Sequence, residues 1–235
     1  MTDTPNNRQS GMLKTFGRAG GRPLSPRQKA LFDELYPRIE APIAEGATLD
    51  PASLFARKPQ KVWFEIGFGG AEHLVGQAQE HPDIGLIGVE PFRESVGKAL
   101  SQIDIAKLSN IRIHQGDARE VLIGIKPETL DRIFILFPDP WPKARHNKRR
   151  IVQHESVSLF VSRLKPGGSL RFATDVAHYA DWALERFIAN EALEWSAQQA
   201  DDWRTPPVDH ITTRYQTKNL GDCSPVFYDF VKRAH

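Results

Sequence analysis

A single cysteine, Cys223, in 235 residues excludes an intramolecular disulfide framework and any multi-cysteine zinc or iron–sulfur centre. Long apolar runs are missing too: the longest, Ile133 to Phe137, falls far short of the roughly 20 residues a membrane helix needs. No charged-then-apolar leader opens the chain, whose first sixty residues are polar and interrupted by proline. The eight histidines show no ligand spacing, so metal catalysis draws no support from them. His73 and His81 read as packing or surface residues. What remains, 40% hydrophobic and 26% charged, is the composition of one globular domain with at most a small appendage, predicted to be cytoplasmic.

Net charge is only +2, but it is unevenly spread. Residues 1–30 hold Arg8, Lys14, Arg18, Arg22, Arg27 and Lys29 against one acid, Asp3. Residues 143–150 hold Lys143, Arg145, Lys148, Arg149 and Arg150 and no acid, so the rest of the chain is acidic. Two concentrated basic segments on an acidic body fit a polyanionic partner met at defined places. For the charge alone, a solvated tail, a targeting address or a charged loop is the better fit, so charge by itself does not decide.

Composition divides the chain into a basic, flexible tail (1–25), a helix and proline-spaced connection (26–60) and one catalytic-sized domain (61–235). Ser25-Pro26 predicts a helix start. From Lys61 onward short apolar runs alternate with amphipathic ones. Strands are predicted at Val62–Ile66, Leu86–Val89, Ile111–His114, Ile133–Phe137, Ser169–Thr174 and Val226–Val231. Helices are predicted at Ala71–Glu80, Arg93–Lys107, Ile151–Leu164 and Val176–Ala189, the third stopped by Lys165-Pro166-Gly167-Gly168. Such alternation predicts an α/β fold, a mostly parallel sheet with helices on both faces, and ligands beyond the carboxyl ends of the strands.

Those strand ends carry chemistry. Glu65-Ile66-Gly67-Phe68-Gly69-Gly70 follows the first strand, and its spacing is a poor match to a pyrophosphate-binding G-x-G-x-x-G loop. The second strand ends in Glu90, placed to accept from both hydroxyls of a ribose. The third leads to Gly116-Asp117-Ala118-Arg119, a turn that could touch an adenine. Singly, each acid fits a helix N-cap or first-turn charge better; together they point to a ribose-and-adenine ligand without a phosphate chain.

The run from Phe137-Pro138-Asp139-Pro140-Trp141-Pro142-Lys143 through Arg145, His146, Lys148, Arg149 and Arg150 closely resembles the signature of bacterial tRNA (guanine-N7-)-methyltransferases. The Glu65–Gly70 loop, Gly116-Asp117, Ala173-Thr174-Asp175, Thr213-Arg214-Tyr215 and the stretch Thr15 to Arg18 are similar to further blocks, in the same order. The resemblance implies a Rossmann-like class I methyltransferase with a seven-stranded sheet and S-adenosyl-L-methionine as methyl donor. The methyl would go to N7 of a tRNA guanine, by resemblance at position 46 of the variable loop. It implies Asp139 as catalytic residue and Glu65, Gly67, Gly69, Glu90, Asp117 and Asp139 around the cofactor. Lys143, Asp175, Thr213, Arg214, Tyr215 and Gln216 would bind substrate, and Arg145, Lys148, Arg149 and Arg150 would contact RNA. No metal, membrane or obligate protein partner is implied, and monomer and homodimer are both compatible.

These residue types suit the chemistry. Guanine N7 has an exposed lone pair and no proton, so it attacks a sulfonium methyl without a general base. Alignment and tolerance of a positively charged base are what the protein must supply. Trp141 offers either a stacking face to an extruded base or a loop anchor. Gln216 departs from the expected pattern, where the family usually has Glu. Three rivals remain: a small-molecule methyltransferase, an RNA-binding protein with a non-catalytic methyltransferase fold, and a dinucleotide-dependent oxidoreductase, which the glycine loop disfavours.

Overall fold

The computed structural model describes residues 23–44 and 46–234, so the tail's Arg8, Lys14, Arg18 and Arg22, with the Thr15 to Arg18 stretch, lie outside the described residues. Ser25 starts α1 (Pro26–Glu34): its hydroxyl accepts from the Gln28 amide, the Gln28 side chain accepts from the Ser25 amide, and Pro26 fills the first turn. The short α2 (Tyr36–Ile39) and a 3-10 turn (Pro51–Leu54) follow.

Strands and helices then alternate: β1 (Lys61–Ile66), α3 (Glu72–Glu80), β2 (Ile84–Val89), α4 (Arg93–Ala106), β3 (Ile111–His114), α5 (Ala118–Gly124) and β4 (Leu130–Leu136). A 3-10 turn (Ala144–Arg149) leads to α6 (His154–Arg163), β5 (Leu164–Thr174), α7 (Ala177–Ile188) and β6 (Leu193–Trp195). Two short helices, α8 (Asp201–Arg204) and α9 (Arg214–Thr217), precede β7 (Val226–Lys232). One seven-stranded sheet results, in the order β3-β2-β1-β4-β5-β7-β6. Strands β1 to β5 run parallel; β7 is antiparallel to both β5 and β6. This is the Rossmann-like architecture expected of a class I methyltransferase.

Side chains alternate across the sheet with period two. Val62, Phe64 and Ile66 enter the core under α5, α6 and α7, with Phe160, Phe172, Tyr179 and Phe187. Trp63 and Phe134 enter the opposite core under α1, α3 and α4, with Leu74, Val96 and Leu100. Glu65 shares that second face, so its carboxylate is buried by strand parity.

Beyond the helices α5, α8 and α9, which the sequence reading does not contain, two strands differ from it. Strand β6 is only three residues long and pairs with β7 alone, too short to stand out as an apolar run. The predicted stop at Lys165–Gly168 lies within β5: Leu164 pairs with Leu130, and a register shift between Leu130 and Arg132 absorbs the Pro-Gly-Gly segment before Ser169 resumes pairing. The chain crosses from β1 to β2 on one side and continues at β4 on the other, so the strand order switches between β1 and β4. The loops after these strands frame the ligand crevice.

Candidate active site at the strand switch

After β1 the backbone turns through Gly67 (φ +71°) and Gly69 (φ +51°), conformations that L side chains rarely adopt. Both glycines face open space with no atom within 4 Å of a would-be side chain, leaving room for a ligand against the backbone. The buried Glu90 orders this loop, its Oε2 accepting from the Gly69 amide at 2.9 Å and its Oε1 from the Phe92 amide at 3.1 Å. Burial pushes the Glu90 carboxyl above the usual range; the two amides oppose this, and the negative charges of Asp139 and Glu65 add to it. Each carboxylate oxygen keeps acceptor capacity for a ribose hydroxyl.

A cavity of about 270 Å³ opens beside Glu90, lined by Gly67, Gly69, Asp117, Pro138 and Asp139, with Trp141 and Arg149 on its wall. Asp117 is the N-cap of α5: its carboxylate accepts from the Arg119 amide at 2.9 Å and pairs with the Arg119 guanidinium at 2.5 Å. The N-cap reading and the ligand-facing position therefore hold together at this residue.

Asp139 follows β4 in a loop with two unusual backbone positions. Phe137 (φ +50°) and Trp141 (φ +44°) are left-handed, and each precedes a proline, which normally forces an extended conformation. Such positions cost on the order of 1–3 kcal/mol each and persist only when surrounding structure imposes them. At one end the Phe137 amide donates to the Ala173 carbonyl at 2.8 Å. At the other the Arg150 Nε donates to the Pro140 carbonyl at 2.8 Å.

A second cavity of about 330 Å³ shares Gly67, Gly69 and Phe137 with the first and is walled by Glu65, Thr213, Arg214 and Tyr215. Glu65 lies 2.7 Å from His73 Nδ1, and Gln77 Nε2 lies 3.4 Å from the other ring nitrogen. The Tyr215 ring packs on Phe137, centroids 5.6 Å apart, and its hydroxyl donates to Asp175 Oδ1 at 3.3 Å. Burial pushes the Tyr215 phenol up, followed by the Asp175 and Asp139 carboxylates. Asp175 is buried at the end of β5, its carbonyl accepting from the amides of Asp222 (3.0 Å) and Cys223 (3.1 Å). The segment carrying Thr213 to Gln216 is tethered upstream: the Asp209 carboxylate meets Arg132 and Arg171, each at 2.6 Å, and its carbonyl accepts from Gln77 at 2.7 Å. Burial pushes the Asp209 carboxyl up, but the two guanidiniums outweigh it and hold it at about 2.

Three expected site residues point elsewhere. Gln216 turns back on its own segment, Oε1 accepting from the Thr213 amide at 3.0 Å and lying 2.9 Å from His210 Nε2. It closes a capping box on α9 rather than facing either cavity, a role open equally to Glu. Lys143 is exposed outside both cavities, N-capping the 3-10 turn that carries Arg145 and Lys148, which are also exposed. Arg150 corrects the reading of the basic run. It is 4% exposed, its guanidinium 5.0 Å from the Tyr179 ring centroid and 4.7 Å from that of Trp182, and it donates to His178 Nδ1 at 2.9 Å. The 3-10 turn ends there, and the guanidinium lies under the loop rather than on the surface.

Two residues at the site escaped the sequence reading as functional: His73 behind Glu65 and Lys98 beside the second cavity. His73 alone left a signal, lying eight residues after a buried strand acid on the helix that follows it. Among the described residues no group of three or more His, Cys, Asp or Glu could hold a metal ion, and no helix is long and apolar enough to cross a membrane.

A family described as putative methyltransferase matches residues 59–227. A tRNA (guanine-N(7)-)-methyltransferase of Hyphomonas neptunium is 52% identical, the match covering 93% of this chain and 99% of its own length. One from Caulobacter sp. is 49% identical over 94% and 96%. Among solved structures, the 16S rRNA methyltransferase KamB superposes with a TM-score of 0.53 at 12% identity, covering 75% of this chain and 89% of its own. An rRNA methylase from Streptococcus thermophilus gives 0.52 at 12% identity over 74% and 87%. At these identities the two structures speak to the fold.

Proposed function

Because this chain belongs to the family of tRNA (guanine-N(7)-)-methyltransferases, we propose that it methylates N7 of a tRNA guanine, at position 46 of the variable loop, with S-adenosyl-L-methionine as donor. One observation carries the division of labour. The two cavities meet at the glycine loop and Phe137, and the charge of Asp139 is felt by Glu90 on one side and Tyr215 on the other.

The residues of the first cavity fit the donor. Glu90 and Asp117 put carboxylates where a ribose and an adenine would lie, and they would repel a pyrophosphate. S-adenosyl-L-methionine supplies the electrophilic methyl. Gly67 and Gly69 let it lie against the backbone, and Glu90 accepts from its ribose hydroxyls. Asp139 faces the reacting atoms, where its negative charge favours the cation developing on the base as N7 attacks. Tyr215, Thr213 and Arg214 close the second cavity over the guanine, and Asp175, braced by Tyr215, serves the guanine N–H edge. The reaction is placed in the cytosol, where both substrates occur.

Incubation with labelled S-adenosyl-L-methionine and unmodified tRNA, followed by borohydride–aniline scission, tests this reading. Label with cleavage at one variable-loop guanine is expected. Label without cleavage would move the methyl to another atom, and label in a small molecule alone would favour the rival methyltransferase class.

Arg145, Lys148 and Arg149 remain in place to meet the tRNA backbone, Arg149 lying 5.0 Å from the Trp141 ring centroid. Replacing Arg145 and Lys148 together by Ala should weaken tRNA binding and lower its log–log salt slope by about 0.7–0.9 per lost phosphate contact. A titration between low and physiological salt reads this; an unchanged slope would place the RNA path elsewhere.

A further inference from the structure

We infer that Arg150 is a positioning residue for Asp139: it pins the loop that carries the catalytic carboxylate rather than the RNA. The inference rests on the proposed role of Asp139. The last cation of a basic run would ordinarily be a surface group, yet this guanidinium is buried, which costs free energy unless the charge is compensated. Among the described residues no carboxylate lies within ion-pair distance of it. Its compensation is a carbonyl, an imidazole nitrogen and two aromatic faces, those of Tyr179 and Trp182. Burial accordingly lowers its affinity for its proton, though a guanidinium stays charged.

The acceptor it reaches is telling. Pro140 follows Asp139 directly, and no amide proton of its own ties it to the structure. The loop around it holds two left-handed residues four positions apart, so it would relax without a fixed point at each end. The Ala173 carbonyl holds Phe137 at the first end; Arg150 holds Pro140 at the second. Arg150 is itself rigid. Trp182 Nε1 donates to the Val152 carbonyl at 2.8 Å, fixing the indole against which the guanidinium lies. The Asp139 backbone is thereby referenced to α7 in the sheet's covered core, and the carboxylate is preorganised for the transferring methyl.

The test compares Arg150→Met, which fills similar space without the hydrogen bond, with Arg150→Lys, which keeps the charge but loses the planar fork. Both are expected to lower kcat for tRNA methylation about 10–100-fold, to leave tRNA affinity and its salt slope within about twofold of the parent, and to speed amide exchange across residues 137–143. An RNA contact predicts the reverse: near-parental behaviour in Arg150→Lys, and weakened binding with a flatter slope at parental kcat in Arg150→Met. That outcome, or exchange across the loop unchanged in both variants, would overturn the inference. Should Arg150→Met fail to fold, Arg150→Lys alone still separates the two readings. Asp139→Asn assayed alongside keeps the underlying reading separate: near-parental turnover there would remove Asp139 from catalysis, whatever Arg150 does.

Discussion

Asp139→Ala should reduce kcat for methyl transfer about 10²–10³-fold, the range found when one preorganised electrostatic group is removed from an active site. S-adenosyl-L-methionine binding should stay measurable, because Glu90 and the glycine loop are held by their own bonds. The size of the effect follows from the chemistry. N7 needs no base, so rate enhancement rests on alignment and on negative charge near the developing cation, and Asp139 would serve both in the proposed role. Its loop is held at Phe137 and Pro140, so removing the carboxylate should leave the backbone in place and confine the defect to turnover. Single-turnover methylation at saturating tRNA, with equilibrium dialysis of labelled cofactor, separates the two quantities. A kcat within a few-fold of the parent would exclude a catalytic role.

Glu90→Ala should raise the dissociation constant for S-adenosyl-L-methionine about 10–100-fold, since a hydrogen bond to a charged group contributes about 1.5–3 kcal/mol. Two losses combine: the ribose acceptor and the 2.9 Å bond that holds Gly69 in its left-handed turn. The pH dependence carries a signature. Protonation replaces an acceptor by a donor, so cofactor affinity should fall as pH drops through the raised Glu90 pKa. Stability should move the other way. A carboxyl whose folded pKa lies above its unfolded value penalises the fold at pH above the unfolded value, and acidification through that window relieves the penalty. Glu90→Gln should remove both trends. Calorimetric titration and thermal melts across the acidic range read them; cofactor affinity independent of pH in the parent would sink the assignment.

Much of this site was legible because strand ends in an open α/β sheet are legible. Val62–Ile66 and Leu86–Val89 are short apolar runs between turn residues, and each delivers the residue after it to the same rim. Glu90, Gly67, Gly69 and Asp139 accordingly line one cavity at that rim. Arg149 and Arg150 show the limit. They are adjacent and chemically identical, yet one flanks the Trp141 ring on the cavity wall and the other lies buried under Pro140. Which way a side chain leaves a 3-10 turn depends on the helix beneath it, and no residue near Arg150 in the chain announces Tyr179 and Trp182. Gln216 was misplaced for a related reason: its partners, Thr213 and His210, complete a cap whose orientation only folding selects.

By itself, then, the sequence determined the alternation of the six longer strands with their main helices, the ligand class at the rim and the loop proposed to carry the catalytic acid. Periodicity, glycine, proline and charge act over a few residues, and those features depend on little more. Tertiary structure alone decided which acid has its proton affinity raised by burial, how Asp209 ties the segment carrying Thr213 to Gln216 to Arg132 and Arg171, and which arginine of the basic run is inside. Each of these turns on groups far apart in sequence meeting in a low-dielectric interior, where the surroundings set the cost of a charge and the direction of a side chain.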